Sequence, residues 1–387
     1  MDHIIHYNPN LPAETPSPCY VVDIQRLRSN LEIIRDVQDA TGCKILAALK
    51  GFAMHSVFPL MRNYVAGVCA SGPWESRLGA EEFGKAVHCF APAFTEQDMQ
   101  EVLEHACHIS FNSIEQFKKH QKAIASSSRK ISCGLRVNPE YSEVETNIYN
   151  PCAVGSRLGI RRHALEGHDI SAIEGLHFHT LCEQNSDTLE RTLVHFEEKF
   201  GTLLAQMKWV NFGGGHHITS PTYDVKRLVA LLKAFKERYP HLEVYLEPGE
   251  AMAINAGVLV STVLDIIEES PPIAVLDISA TCHMPDVLEM PYRPEIATGG
   301  NPGEKAFTYS LGGLSCLAGD MIGHYSFDRP LKLGDRIEFL DMAHYTMVKT
   351  STFNGIKHPS IATWDSENKK LEIVRKFEYE DYRDRLS

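Results

Sequence analysis

The sequence predicts an α/β protein: a (β/α)8 TIM-like barrel joined to a C-terminal β domain. Three observations lead there. Between Lys44 and Met252, short apolar runs alternate with polar or Gly-containing turns and helix-like segments. Eight such runs fall within roughly 200 residues, the count that closes a parallel barrel rather than leaving an open sheet. After about residue 257 the stretches become strand-like, with Gly- and Pro-rich turns and little helix between them. The expected domains are therefore a barrel over residues 24–257 and a β domain formed by residues 1–23 and 258–387.

The elements follow in chain order. "CYVVD" (Cys19–Asp23) is a strand that belongs to no barrel repeat and so joins the β domain. Asp23 is the N-cap of a first helix whose buried face carries Leu27, Leu31 and Ile34. The barrel strands are "KILAALK", "AGVCAS", "HCFAPA", "HISFNS", "ISCGLRVN", "IEGLHFHT", "KWVNFGGG" and "LEVYLEPGE". Leu189, Leu193, Phe196 and Phe200 share one helix face, and Leu228, Leu231, Leu232 and Phe235 share another. "VLVSTVLDII", "IAVLDIS", "AFTYSLGG", "DRIEFLD", "YTMVK" and "LEIVRKFEY" are the expected strands of the β domain.

Composition narrows the function. A chain of 387 residues with 43% hydrophobic content supports a large core, and no apolar run is long enough to span a bilayer. The first residues show no basic region followed by an apolar one, so no secretory signal is visible and a cytoplasmic location is expected. Ten cysteines without paired CxxC spacing argue against a zinc ribbon, and no metal site is expected. A net charge of −12 disfavours nucleic acid as a partner and mildly favours a cationic one.

The unusual residues sit where barrel strands end, the face on which such barrels carry their active sites. "KILAALKG" runs as a buried strand and stops at Lys50. A lysine there is either a strand end that has reached solvent or a partly desolvated amine able to form a Schiff base. Gly213, Gly214 and Gly215 follow the seventh strand, either as a flexible loop or as a close backbone approach that holds a phosphate. His179 in "HFHT" is either a satisfied core histidine or a ring laid flat on a planar cofactor. Glu247, after "VYL" and before Pro248, is either a surface charge or a carboxylate for a protonated pyridine nitrogen. Lysine, phosphate loop, flat ring and carboxylate together describe a site for pyridoxal 5'-phosphate.

The motifs "ALKG", "HFHT", "GGGHH", "EPGEA", "CLAGD" and "HYT" resemble those of the alanine-racemase-fold (type III) pyridoxal phosphate decarboxylases, which include ornithine, arginine and diaminopimelate decarboxylases. With "NPCAVGSRLGI", "GLHFHTLCE", "NFGGGHHIT", "HMPD" and "TFNGI", the chain looks most like the branch acting on carboxynorspermidine and carboxyspermidine. The resemblance covers essentially the whole chain. It implies that Lys50 bonds the cofactor covalently, that His179 stacks on its ring, that Glu247 holds its pyridine nitrogen and that Gly213–Gly215 bind its phosphate. Tyr345 would contact the phosphate from the β domain. Cys316 would protonate the substrate carbon across the interface of a homodimer with shared active sites.

Two departures shape the substrate expectation. Ornithine-type relatives carry "EPGR", whose arginine binds phosphate, whereas this chain has Glu250 there; like charges repel, so Glu250 is expected to bind a substrate amine instead. Those relatives also place an aspartate after the cysteine, whereas this chain has Leu317; Asp286 in "HMPD" is then the expected acid for a distal amine, ahead of Asp320 and Glu183. The expected substrate is a small cationic carboxylated polyamine. The other expectations weighed are a diaminopimelate or other basic amino-acid decarboxylase, and a catalytically silent relative. Retention of both Lys50 and Cys316 speaks against the second.

Overall fold

The computed structural model describes residues 5–387 and divides into two compact units, residues 30–252 and residues 5–29 with 253–387. In the first, eight parallel strands close into a barrel. They are β2 (Lys44–Ala48), β3 (Gly67–Ala70), β4 (Ala86–Phe90), β5 (His108–Phe111), β6 (Ser132–Arg136), β7 (Gly175–His177), β8 (Trp209–Asn211) and β9 (Glu243–Leu246), after β1 (Cys19–Asp23) in the other unit. Closure runs through Lys44 beside Tyr245 and Ile45 beside Leu246, which pair β2 with β9. Buried on both faces, these strands read as continuous apolar runs rather than as alternation. Leu46, Ala48, Cys69, Trp209 and Tyr245 fill the barrel centre.

The outer helices follow from capping and periodicity. Asp23 Oδ1 accepts from the N–H groups of Gln25 and Arg26, opening the helix Ile24–Thr41, and Leu27, Leu31 and Ile34 are fully buried. Asn185 caps Ser186–Leu204 and Asp224 caps Val225–Arg238. Leu189, Leu193, Phe196 and Phe200 are buried on the first; Leu228, Leu232 and Phe235 on the second. One repeat departs from expectation. Between β6 and β7 the chain makes only the short 3-10 turns Asn147–Tyr149 and Arg162–Leu165. Pro139 and Pro151 deny helical hydrogen bonds there, and Gly155 and Gly159 take positive φ angles of 79° and 83°.

The second unit holds β1 with β10 (Gly257–Ile267), β11 (Ile273–Leu276), β12 (Phe307–Gly312), β13 (Met321–Phe327), β14 (Arg336–Leu340), β15 (Ser360–Asp365) and β16 (Lys370–Arg375). The sheet order is β13-β12-β11-β10-β1-β15-β16, with β14 also on β10. Tyr20, Leu259, Leu276, Tyr325 and Phe339 pack in its main core, and Val21, Val260, Leu340 and Trp364 in a second cluster. Here the sequence reading needs three corrections. "YTMVK" is not a strand: Tyr345 takes φ 45° and Thr346–Lys349 form a 3-10 turn. The strands β13 and β15 were not foreseen, and short helices occupy Ala280–His283 and Asp286–Glu289.

Candidate active site

Lys50 lies two residues beyond β2 rather than at its last position, in a turn where Gly51 N–H donates to Ala48 O at 3.0 Å. The turn is tight: a Cβ on Gly51 would stand 2.9 Å from the backbone of Gly249 and Glu250. Solvent reaches the lysine through the open end of the barrel, yet protein surrounds its amine. Desolvation, and then the Arg136 charge, lower the Lys50 pKa from its ordinary value. Its Nζ stands 3.0 Å from His179 Nε2. His179 Nδ1 lies 3.1 Å from Gly214 N and 3.2 Å from Gly214 O, so the glycine turn anchors the ring on the side away from the lysine. Burial, with Lys50 and Arg136 alongside, holds His179 well below the ordinary imidazole range. Arg136 donates to His179 O at 3.1 Å. Burial keeps the ring uncharged and lowers the pKa of the amine beside it, and both effects favour the lysine as a nucleophile.

The three glycines permit no side chain. A Cβ on Gly213 (φ 70°) would meet Phe178 O at 2.4 Å, on Gly214 it would meet Glu247 O at 2.4 Å, and on Gly215 (φ 83°) Leu181 O at 2.0 Å. Backbone replaces side chain throughout this turn, as an anion-binding loop requires.

Glu247 is 6% exposed and tightly held. Asn211 Nδ2 donates to its Oε1 at 2.5 Å, and His177 Nε2 lies 3.3 Å from its Oε2. Burial alone raises this carboxyl, but His177 and the thiol of Cys69 outweigh it and hold it well below the usual carboxylate range. Glu247 is thus an anion inside protein, oriented before any ligand arrives. Its backbone N–H donates to Gly213 O at 2.7 Å, which ties the carboxylate to the glycine turn.

Glu250 occupies the same rim, with His217 Nε2 3.0 Å from its Oε2. The two side chains are only 12% and 7% exposed. At the opposite, N-terminal strand ends, His88, Cys107 and His108 bring ligand-type atoms together. The two imidazoles stack at 3.9 Å and 15°, so their lone pairs run side by side instead of converging on one ion.

The remaining expected residues belong to the β unit. Cys316 is exposed on the loop after β12. Tyr345 is half-buried, and its carbonyl accepts from Val348 and Lys349. Asp286 forms an ion pair with Lys349, whose Nζ also lies 2.7 Å from Glu289. Asp320 is 3% exposed and spends its carboxylate on backbone, accepting from Thr281 N–H at 3.2 Å and Ser315 N–H at 2.9 Å. It is a scaffold rather than a free anion. Arg136, Asn211, Cys69 and His217 escaped the sequence reading. They lie on four different strands or turns, and only barrel closure brings them to the residues they contact.

A barrel that ends in a desolvated lysine, a neutral histidine, a glycine turn and an ionised buried carboxylate defines an enzyme built around an aldehyde-bearing, phosphorylated pyridine. The family model "Pyridoxal-dependent decarboxylase, C-terminal sheet domain" matches residues 19–343, and the chain belongs to the pyridoxal-dependent decarboxylases. A carboxyaminopropylagmatine decarboxylase of Synechocystis is 47% identical over 381 residues, 98% of this chain and 97% of its own. A carboxynorspermidine/carboxyspermidine decarboxylase of Campylobacter jejuni is 47% identical over 377 residues, covering 95% and 97%. The crystal structure of a Campylobacter jejuni carboxynorspermidine decarboxylase complexed with norspermidine aligns at a TM-score of 0.88 and 45% identity, over 95% of this chain and 99% of that one.

The donor set fits pyridoxal phosphate: an amine for its aldehyde, an anion for its ring nitrogen and a side-chain-free turn for its phosphate.

Proposed function

We propose that this enzyme decarboxylates carboxynorspermidine and carboxyspermidine, yielding norspermidine and spermidine, as a cytoplasmic homodimer with shared active sites. The observation that carries the substrate class is Glu250: an acid paired with His217 on the rim that also bears the cofactor residues. A polyamine brings cations to that rim, and a carboxylate rewards them. In this reading residues 24–257 form the cofactor-binding domain, and residues 1–23 with 258–387 form the β domain that supplies Cys316 and Tyr345.

Pyridoxal phosphate, when bound, draws off the electron pair released as the substrate's C–CO2 bond breaks. The chain's residues do the rest. Lys50, its pKa lowered by burial, would be the amine that bonds the cofactor aldehyde. His179 would lie against the ring, and Glu247, kept ionised by His177 and Cys69 and held by Asn211, would pair with the pyridine nitrogen. Gly213–Gly215 would give the phosphate a backbone cradle, and Tyr345 would add a contact to it. Glu250 and Asp286 bind substrate amines, and the Cys316 thiol gives a proton to the carbon that lost CO2.

One specific observation favours a second substrate. The Synechocystis relative is named for carboxyaminopropylagmatine and is as similar, at 47%, as the carboxynorspermidine/carboxyspermidine relative. Its product ends in a guanidinium, which pairs with a carboxylate in two-point geometry where an ammonium makes a single contact. Steady-state kinetics on carboxynorspermidine, carboxyspermidine, carboxyaminopropylagmatine and meso-diaminopimelate test the assignment. The proposal requires a carboxylated triamine to give the highest kcat/KM. A higher value for carboxyaminopropylagmatine moves the assignment to the second reading, and one for diaminopimelate removes the polyamine class altogether.

A further inference from the structure

The loop that carries Cys316 is pinned from both sides by side chains that the chemistry does not otherwise use. Asn354 Oδ1 accepts a hydrogen bond from Cys316 N–H at 2.7 Å. To present that oxygen, Asn354 adopts φ 58°, a region that L-residues other than Asn, Asp and Gly rarely enter. Gly355 follows at φ 73°, so the Phe353–Gly355 turn turns back on itself where the side chain projects. On the other side, Ser315 N–H donates to Asp320 Oδ2 at 2.9 Å, while Asp320 N–H donates to Leu317 O at 2.9 Å. Gly313 N–H donates to Asp320 O at 2.9 Å, and a Cβ on Gly313 would strike Asp320 Oδ2 at 2.5 Å. Asp320 is thus the hub around which residues 313–319 wrap, and its second oxygen anchors the hub to Thr281 N–H.

Two successive backbone amides leading into one exposed thiol are therefore held, at residue 315 by a buried carboxylate and at residue 316 by an amide oxygen. A loop that only needed to be compact has no use for a left-handed asparagine aimed at the cysteine itself. We propose that Asn354 and Asp320 are positioning residues that set where the Cys316 thiol delivers its proton. The inference rests on the reading of Cys316 as the proton donor. In that step the electron pair of the broken C–CO2 bond, held in the cofactor, returns to the carbon that lost CO2. The S–H bond breaks, a C–H bond forms at that carbon, and the thiolate regains a proton from solvent. A thiol fixed on one face delivers its proton to one face.

Two readouts test this. In heavy water the wild-type enzyme should place one deuterium in a single configuration at the carbon that lost CO2. Asn354→Gly keeps the positive φ but removes the acceptor; it should give label in both configurations and several-fold less correctly protonated product per CO2 released. Asn354→Asp keeps an acceptor oxygen and should restore the single configuration. Asp320→Asn should resemble Asn354→Gly; should it fail to fold, the surface variant at Asn354 carries the test alone. In the cofactor-free protein, amide exchange at Cys316 should quicken by about fivefold in Asn354→Gly, the value of one net hydrogen bond, and stay slow in Asn354→Asp. Unchanged protection at Cys316, or lost protection with an unchanged configuration, overturns the proposal. Failure of the underlying reading looks different: Cys316→Ala would then yield product of wild-type configuration and amount.

Discussion

His217 Nε2 and Glu250 Oε2 stand 3.0 Å apart, on turns that follow adjacent strands of the barrel. The contact fixes the Glu250 carboxylate, which the proposed function assigns to a substrate amine. Glu250→Gln should keep the cofactor bound and raise KM for a carboxylated triamine. A charge-assisted hydrogen bond is worth about 1.5–3 kcal/mol, so kcat/KM should fall on the order of ten- to a hundredfold. His217→Ala should move KM in the same direction by less, because it frees the carboxylate without removing it. Weakened cofactor binding in Glu250→Gln at constant KM would instead place this residue among those that hold the cofactor.

Asp286 meets Lys349 in a cluster where one ammonium serves two carboxylates, since Glu289 shares it. If Asp286 binds a substrate amine as proposed, its charge contributes to that contact. Asp286→Asn should lower kcat/KM for a triamine about tenfold with no change in the cofactor absorbance band. A constant KM would assign Asp286 to holding Lys349 alone.

Lys50→Ala should leave the fold intact, abolish borohydride-fixable attachment of the cofactor and cut turnover by several orders of magnitude. Cys316→Ala should also be inactive. Mixed with subunit exchange demonstrated, the two inactive proteins should regain part of the activity, because one of the two composite sites in a heterodimer carries neither change. No recovery would separate Cys316 from the Lys50 site of the other subunit.

Glu247 supplies a pH prediction. Its carboxyl is held below the ordinary value in the folded protein, despite burial, by His177 and Cys69. Stability from this residue is therefore fully present above the unfolded pKa of about 4.5 and is lost as pH falls through the folded value. Glu247→Gln should lower the melting temperature at neutral pH and give a shallower decline below pH 5 than wild type, followed by thermal unfolding across that range.

The barrel was legible because each of its strands is buried on both faces and announces itself as an apolar run, as "KILAA" and "GVCA" do. Its candidate site stood out because Lys50, the glycine triplet and Glu247 are residue types that a core does not choose, and the structure brings them to the C-terminal strand ends. The β unit was harder. "MIGHYSF" interrupts its pattern with Gly323 and His324, and "SIATWD" carries a short apolar face, so β13 and β15 gave weak signals. "YTMVK" has the composition of a strand, but no composition reveals that Tyr345 takes a positive φ. Partnerships were the least legible. Nothing near Asp286 in sequence announces Lys349, and nothing near Glu247 announces Asn211, because barrel or sheet closure makes those neighbours.

β1 has a consequence for how this protein is made. It lies between β10 and β15, pairing Cys19 with Val260 on one side and with Ser360 on the other. The ribosome therefore releases one of the first strands of the chain some 240 residues before its nearest partner exists. At ordinary elongation rates that interval lasts on the order of tens of seconds. Throughout it, "CYVVD" is an apolar strand with two open edges, while the barrel residues behind it can already pair among themselves. The last-made strands must then insert the first-made one into the middle of their sheet. This order of assembly gives the sheet of the β unit long-range pairings that cannot close until late in synthesis.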